Sequence, residues 1–317
     1  MCTAVRFCDD KGNMYFGRNL DWSEGYGQKV VITPRNYAYN SAFLGAMKPQ
    51  AGAIIGMAVD YNGLPLYFDC MNEAGLAIAG LNFPSYAQYE LVAVDGKQNV
   101  AAYEFPLWVT MNFKTVDEVE VALKNVAIVA KPVSEAFPVS ELHYMIGDGT
   151  RSIVVEYTKN GMEIHHNDVD VLTNQPGYGW HMENLRNYMG VAPEMPEKVN
   201  WGKTELKPFG SGSLMRGIPG DCYSPSRFAR VAYFNTHYPT KATEAENVSR
   251  LFHTLAGVAM IDGAAAMANG KCELTIYTGG CSPATGKYYY NTYENPAIKE
   301  VKMSDFDLDS EKVIDAE

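Results

Sequence analysis

Strand-forming runs open and close this chain of 317 residues, and helical patterns lie between them. That order constrains the fold more than any single residue does. Alternating apolar and polar residues with β-branched and aromatic enrichment predict strands over about 2–8, 14–19, 29–33, 53–60, 64–70 and 76–82, with Asn62-Gly63 as the turn of the middle hairpin. Helical spacing follows over about 101–112 and 115–126, where Val116, Val119, Ala122 and Leu123 share one face. Strands resume over about 142–147, 151–157 and 161–166, helices are predicted from near Gly179, over 224–237 and over 242–261, and strands close the chain near 272–278, 286–291 and 298–303. Strands grouped at both ends suit an α+β fold, an antiparallel sandwich covered by helices, better than a doubly wound sheet, in which strands and helices alternate. The 47% hydrophobic content can fill a large core, and one domain over 1–317 is expected. The Pro- and Gly-rich segment of about 190–220 reads as a long excursion from it.

The first strand starts at Cys2, and Asp9-Asp10-Lys11-Gly12-Asn13 supplies turn chemistry before the returning run Met14 to Asn19. With the turn centred near Lys11, paired residues sum to about 22, which sets Cys2 opposite Leu20 and within a residue or two of Arg18 and Asp21. Met1 precedes a small residue and is expected to be removed, leaving a cysteine with both a thiol and a free α-amine. Reference pKa values of about 8.5 and 8 let the amine serve as general base for the thiol at neutral pH. An arginine nearby favours thiolate, and a carboxylate can orient the amine by accepting its N–H groups. The residues alone leave two plainer readings open, a Cys2 that only packs and an Arg18–Asp21 surface ion pair.

The formal net charge of −11 argues against nucleic acid and anionic membrane surfaces as partners, and against long-range attraction of anionic substrates. No run of eighteen apolar residues occurs and no basic segment precedes an apolar stretch at the N-terminus, so neither a membrane span nor a signal peptide is expected, and the cytoplasm is the expected location. There, six cysteines read as one catalytic thiol plus reduced Cys8, Cys70, Cys222, Cys272 and Cys281. No metal is expected. His165-His166 lacks a second ligand cluster at zinc spacing, and Asp305, Asp307 and Asp309 begin like a calcium loop but have Ser310 and Ala316 where glycine and glutamate are needed.

The opening Met-Cys-Thr-Ala-Val-Arg-Phe, the run Phe16-Gly17-Arg18-Asn19-Leu20-Asp21-Trp22, the stretch Leu64 to Asp69 and Ala79-Gly80-Leu81-Asn82-Phe83-Pro84 resemble the choloylglycine hydrolases. These are N-terminal-nucleophile amidases that include bile salt hydrolases and penicillin V acylases. Further matches are Leu172-Thr173-Asn174-Gln175-Pro176 and Gly217 to Asp221 followed by Ser224-Pro-Ser-Arg227-Phe228, so the resemblance covers nearly the whole chain in order. It implies a four-layer αββα sandwich of two antiparallel sheets, no cofactor, a homotetramer in which the excursion packs between subunits, and hydrolysis of glycine- and taurine-conjugated bile salts. By position it implies Cys2 as nucleophile with Arg18 and Asp21 around it. Asn82 through its backbone N–H and Asn174 through its side-chain amide are the implied oxyanion donors, and Arg227 a second arginine against the catalytic centre. Neutral preorganised donors are what a developing oxyanion needs. With repulsive net charge, affinity for a bile salt must come mainly from burying the steroid, in an apolar pocket with tryptophan, tyrosine and methionine near its mouth.

Other readings remain at this stage. Penicillin V acylase uses the same chemistry on another acyl group, although bile salt hydrolases favour Asn at position 82 where the acylases often have Tyr. Glutamine amidotransferases also begin Met-Cys but need a synthase domain. A catalytically silent binding protein on the same scaffold is the non-enzyme alternative. If Met1 stays in place, the Cys2 amine is locked in a peptide bond and the proposed base does not exist.

Overall fold

The structure, a computed structural model, describes residues 1–135 and 137–317. Among them, two large antiparallel sheets form the framework. One has six strands in the order Val171–Leu172, Cys2–Cys8, Met14–Trp22, Leu274–Ser282, Lys287–Thr292 and Lys299–Lys302. The other has eight, in the order Gly161–His166, Ser152–Thr158, Leu142–Gly147, Ala77–Asn82, Leu64–Asn72, Ile54–Tyr61, Lys29–Thr33 and Ile314–Asp315. Strands from both ends of the chain therefore lie side by side.

The layering follows from the two-residue period of a strand. In the eight-stranded sheet, Ala77, Ala79, Leu81, Met145 and Val154 join Ala4, Phe16 and Leu20 of the other sheet in one core. The intervening Ile78, Ile146, Ile153 and Val155 face the opposite way, onto Phe105 and Trp108 of helix α1 (Phe105–Asn112) and Val116 and Leu123 of helix α2 (Val116–Leu123). After the short helix α3 (Tyr178–Asn184) come α4 (Ser224–His237) and α5 (Glu244–Ala256), whose Phe228, Val231, Leu251 and Leu255 cover the outer face of the six-stranded sheet. The result is the four-layer αββα sandwich. Gly17 permits the close fit of α5, because a Cβ there would lie 2.6 Å from Gly279 O and 2.9 Å from a Leu251 methyl. A polar tie crosses between the sheets: the buried Asp69 carboxylate accepts hydrogen bonds from the Tyr277 hydroxyl at 2.5 Å and the Tyr288 hydroxyl at 2.6 Å.

Three expected helices are shorter than the sequence pattern suggests. The helix expected over 115–126 stops at Leu123, and Val126–Val129 is a strand paired in parallel with Gln98–Ala101, which in turn takes the first residue expected for the 101–112 helix. Runs of four apolar residues fit either period, so only the tertiary partner decides. The helix expected over 242–261 is α5, started by a capping box between Thr243 and Glu246 and ended before Gly257. The 190–220 excursion carries a small hairpin, Val199–Trp201 against Thr204–Leu206, and its Trp201 and Phe209 are largely exposed. No helix among the described residues is long and apolar enough to cross a membrane.

Candidate active site

The N-terminal hairpin has the register its turn dictates. Cys2 pairs with Leu20 and Ala4 with Arg18, and every pair from Cys2–Leu20 to Cys8–Met14 sums to 22. Cys2 is buried and lines a cavity of about 500 Å³. Asp21 and Asn82 reach the same cavity, whose wall is largely apolar through Leu20, Trp22, Tyr26, Val59, Leu66 and Phe68. Tryptophan and tyrosine stand there as expected. Methionine, also expected, is not among the described lining residues; phenylalanine, leucine, valine and proline take its place.

The five other residues singled out from the sequence gather around Cys2 or its immediate neighbours. Asn174 follows the edge strand Val171–Leu172, and its Oδ1 accepts from the Cys2 N–H at 2.8 Å and from Arg227 Nη2 at 2.7 Å. Arg227, in the first turn of α4, also donates through Nη1 to Cys2 O at 2.5 Å and to Thr3 Oγ1 at 2.6 Å. Ser224 locks the same turn to this segment, its Oγ accepting from the Asn174 N–H at 3.0 Å. Asn174 Nδ2 donates to Asn82 O at 2.7 Å, and its other N–H has no partner among the described residues.

Strand alternation fixes where the Asn82 N–H points. Phe83 N–H donates to Glu141 O at 2.7 Å, while the N–H and C=O of Leu142, opposite Asn82, both bond the Tyr89 hydroxyl. Asn82 and Leu142 are therefore a non-hydrogen-bonded pair, with the polar groups of Asn82 turned away from that neighbour. On the other side the ladder has already ended at Asp69–Ala79. The Asn82 N–H thus faces the side on which its own carbonyl meets Asn174, unclaimed by either neighbouring strand.

Arg18 is fully buried. Its Nε donates to Asn19 O at 3.1 Å, its face lies 5.8 Å from the Tyr277 ring centre, and Nη1 and Nη2 have no hydrogen-bond partner among the described residues. Burial disfavours this cation, but the charges of Cys2, Tyr277 and Asp69 raise its pKa above the usual arginine value. Asp21 is buried too. Its Oδ1 accepts from the Thr275 hydroxyl at 2.6 Å and Oδ2 is unpartnered among the described residues. Burial pushes its carboxyl pKa up, against the pull of Arg227, the N-terminal amine, Thr275 and Arg18. The Cys2 N–H is thus taken by Asn174 rather than by the Asp21 carboxylate. Met1 is attached to Cys2 here, with its own ammonium 2.7 Å from Asp21 O and 2.9 Å from Glu273 Oε2.

The six cysteines are unpaired, and burial raises the pKa values of the Cys70 and Cys281 thiols. Glu156, Glu163 and His165 bring ligand-type atoms within 4.8 Å of one another. Glu156 Oε1 accepts from His143 and from the Tyr178 N–H, while His165 Nε2 lies 3.5 Å from Glu156 Oε2 and 3.7 Å from Glu163 Oε2. Sequence reasoning missed Thr3, Ser224, Thr275 and Glu273, as well as His143 and His181 behind Asn174. The strand Cys2–Cys8 is buried on both faces, so Thr3 breaks no alternation that would have marked it.

The family model for linear amide C–N hydrolases of the choloylglycine hydrolase family matches residues 2–315. A bile salt hydrolase/transferase of Bifidobacterium longum subsp. longum is 56% identical over 314 residues, 99% of each chain. The C2A mutant of a conjugated bile acid hydrolase from Clostridium perfringens superposes with a TM-score of 0.92 at 37% identity, covering 99% of this chain and 96% of that one. A penicillin V acylase from Agrobacterium tumefaciens shares the fold, with a TM-score of 0.78 at 20% identity over 98% and 90% of the two chains. The chain belongs to the choloylglycine hydrolase family of linear amide C–N hydrolases.

Proposed function

We propose that this protein hydrolyses the amide bond of glycine- and taurine-conjugated bile salts, with Cys2 as the nucleophile once Met1 is removed. The observation that carries this reading is the hydrogen-bonded run from Arg227 through Asn174 to Cys2 N and Asn82 O, whose ends Cys2 and Asn82 line an apolar cavity. Removal of Met1 turns Cys2 N into an α-amine at Asn174 Oδ1. That amine takes the thiol proton, and the sulfur attacks the amide carbon while buried Arg18 favours the developing thiolate. The oxyanion is held by the Asn82 N–H and the remaining N–H of the Asn174 amide. The α-ammonium then protonates the departing glycine or taurine nitrogen. Water deprotonated by the same amine hydrolyses the thioester, and no cofactor takes part. Asp21 and Arg227 act as fixed charges on either side of the nucleophile's backbone. The cavity volume falls within the usual range for small-molecule sites, and its apolar wall suits a steroid.

The bile-salt names borne by the relatives support the choice of acyl group. Rates measured side by side with taurocholate, glycocholate and penicillin V test it: the bile salts should be cleaved faster, and a preference for penicillin V would reverse the substrate assignment. We further infer one domain over 1–317, a cytoplasmic location, and a homotetramer assembled through the 190–220 excursion, whose Trp201 and Phe209 are exposed on the described chain. Light scattering that gives a monomer at micromolar concentration would refute the tetramer.

A further inference from the structure

Two histidines outside the nucleophile's own contacts hold the Asn174 segment, one on each of its neighbouring carbonyls. His181 Nε2 lies 2.9 Å from Asn174 O, and its ring stacks on Phe228, the residue after Arg227, at 4.5 Å and 11°. Burial keeps this ring from taking a second proton until about pH 4, so it bonds as a neutral donor. His143 is different. It is fully buried in the Leu142–Gly147 strand, with Nε2 2.9 Å from Thr173 O and Nδ1 3.0 Å from Glu156 Oε1. Its ring stacks on Phe83, the residue after Asn82, at 4.1 Å and 7°.

Both ring nitrogens of His143 therefore face acceptors. A carbonyl oxygen cannot donate, and neither can an ionised carboxylate, so the ring satisfies both contacts only with a hydrogen on each nitrogen. Glu156 is ionised: burial alone would raise its pKa, but hydrogen bonds from His143 and His165 and the Tyr178 N–H bring it down to about 2. The other titratable groups facing the pair are His165, with Glu163 beyond it, and the neutral His181 on α3, which in turn faces Arg227 on α4.

We propose that His143, carrying a hydrogen on both nitrogens and paired with Glu156, is a positioning residue for the amidase reaction. By bonding Thr173 O and stacking on Phe83, it fixes the backbone on either side of Asn174 and Asn82 at the spacing an oxyanion needs. The inference rests on the reading of Asn82 and Asn174 as the oxyanion donors. A ring held from three sides transmits a small displacement of either segment to the other, and a misplacement of about 1 Å can cost a hundredfold in rate.

The first test is spectroscopic. In protein labelled with ¹⁵N-histidine at pH 7, the ring whose signals vanish in His143→Gln should show two protonated nitrogens, and a single protonated nitrogen overturns the proposal. The second test is kinetic. In His143→Gln, which can bond only one of the two partners, kcat on taurocholate should fall about tenfold to a hundredfold while KM moves less than about threefold. Iodoacetamide should alkylate Cys2 at the parent rate, which a general loosening of the fold would not allow. A folded variant with kcat within about twofold of the parent overturns the proposal. Glu156→Gln should show the same split and serves if the first variant does not fold. Asn174→Ala is assayed in parallel. If it keeps its kcat, the oxyanion reading and this proposal fall together; if it alone loses kcat, this proposal falls by itself.

Discussion

Replacing Asn174 with aspartate is the sharpest test of the oxyanion reading, because it changes two hydrogens and a charge while keeping the shape. Oδ1 of Asn174 only accepts, from Cys2 N and Arg227 Nη2, and an aspartate oxygen accepts both bonds equally well. The donor side is lost. Nδ2 gives one N–H to Asn82 O at 2.7 Å and its other N–H has no partner among the described residues, and an anionic oxygen in its place repels both the Asn82 carbonyl and a developing oxyanion. Loss of one oxyanion donor typically costs about 2.7–4 kcal/mol of barrier, so kcat on taurocholate should fall about a hundredfold to a thousandfold. Stability should hardly change. Stranding a buried carbonyl costs about 1–3 kcal/mol, partly offset as the already charge-assisted Arg227 bond becomes a full ion pair, so Tm should move by no more than about 4 °C. Steady-state kinetics and a thermal melt on the same preparation suffice. A variant that raises KM while leaving kcat within about threefold would make Asn174 a substrate-binding residue and refute the reasoning.

Cys2→Ser should fold normally and retain less than about a tenth of the parent amidase rate, because a hydroxyl is far less acidic than a thiol; a larger residue of activity would remove Cys2 from the mechanism. Asn82→Ala should keep most of kcat, because the donor assigned there is the backbone N–H; a loss as large as that of Asn174→Asp would point to the Asn82 side chain instead. Stability should decline on acidification, read from denaturant unfolding at pH 7, 5 and 3. His181 is held down at about 4 from an ordinary 6.5, so the unfolded chain binds a proton first and stability is lost as pH falls across that window. Glu156 is held down at about 2 from 4.5, and its contribution of about 3 kcal/mol is present above pH 4.5 and lost as pH falls toward 2, whereas His165, pulled up by Glu156, acts in the opposite direction. A flat profile would contradict both assignments. Gly280→Ala drives a methyl to 2.3 Å from Leu251 Cδ2 and should lower stability by about 1–3 kcal/mol, with α5 displaced; an unchanged melt would show that α5 yields freely.

The N-terminal hairpin was legible because its turn residues set the register, and once Cys2 faces Leu20 the approach of Arg18 and Asp21 follows from the pleat. Asn82, Asn174 and Arg227 could be named only by resemblance. They are 92 and 53 residues apart, and their meeting depends on how the sheets and α4 pack, which no local pattern encodes. The four-residue strand Val126–Val129 went unrecognised for a similar reason, since its only advertisement is a parallel partner 28 residues upstream. Thr3 and Thr275 escaped notice because β-branched threonine fits a buried strand as readily as valine does, so its hydroxyl left no mark on the pattern.

Asp69 pins one sheet to the other much as a dowel passes through two boards, with Tyr277 and Tyr288 gripping it from the far side. Cys2, Arg18 and Asp21 ride on the first board and Asn82 on the second, so the reacting geometry belongs to neither sheet by itself. Warming that lets the boards slip by a fraction of a strand spacing would silence the enzyme while each sheet still held its own hydrogen bonds. Amidase activity should then fade some degrees below the temperature at which far-ultraviolet circular dichroism reports unfolding, and Tyr288→Phe, which leaves Asp69 gripped by one hydroxyl, should widen that gap.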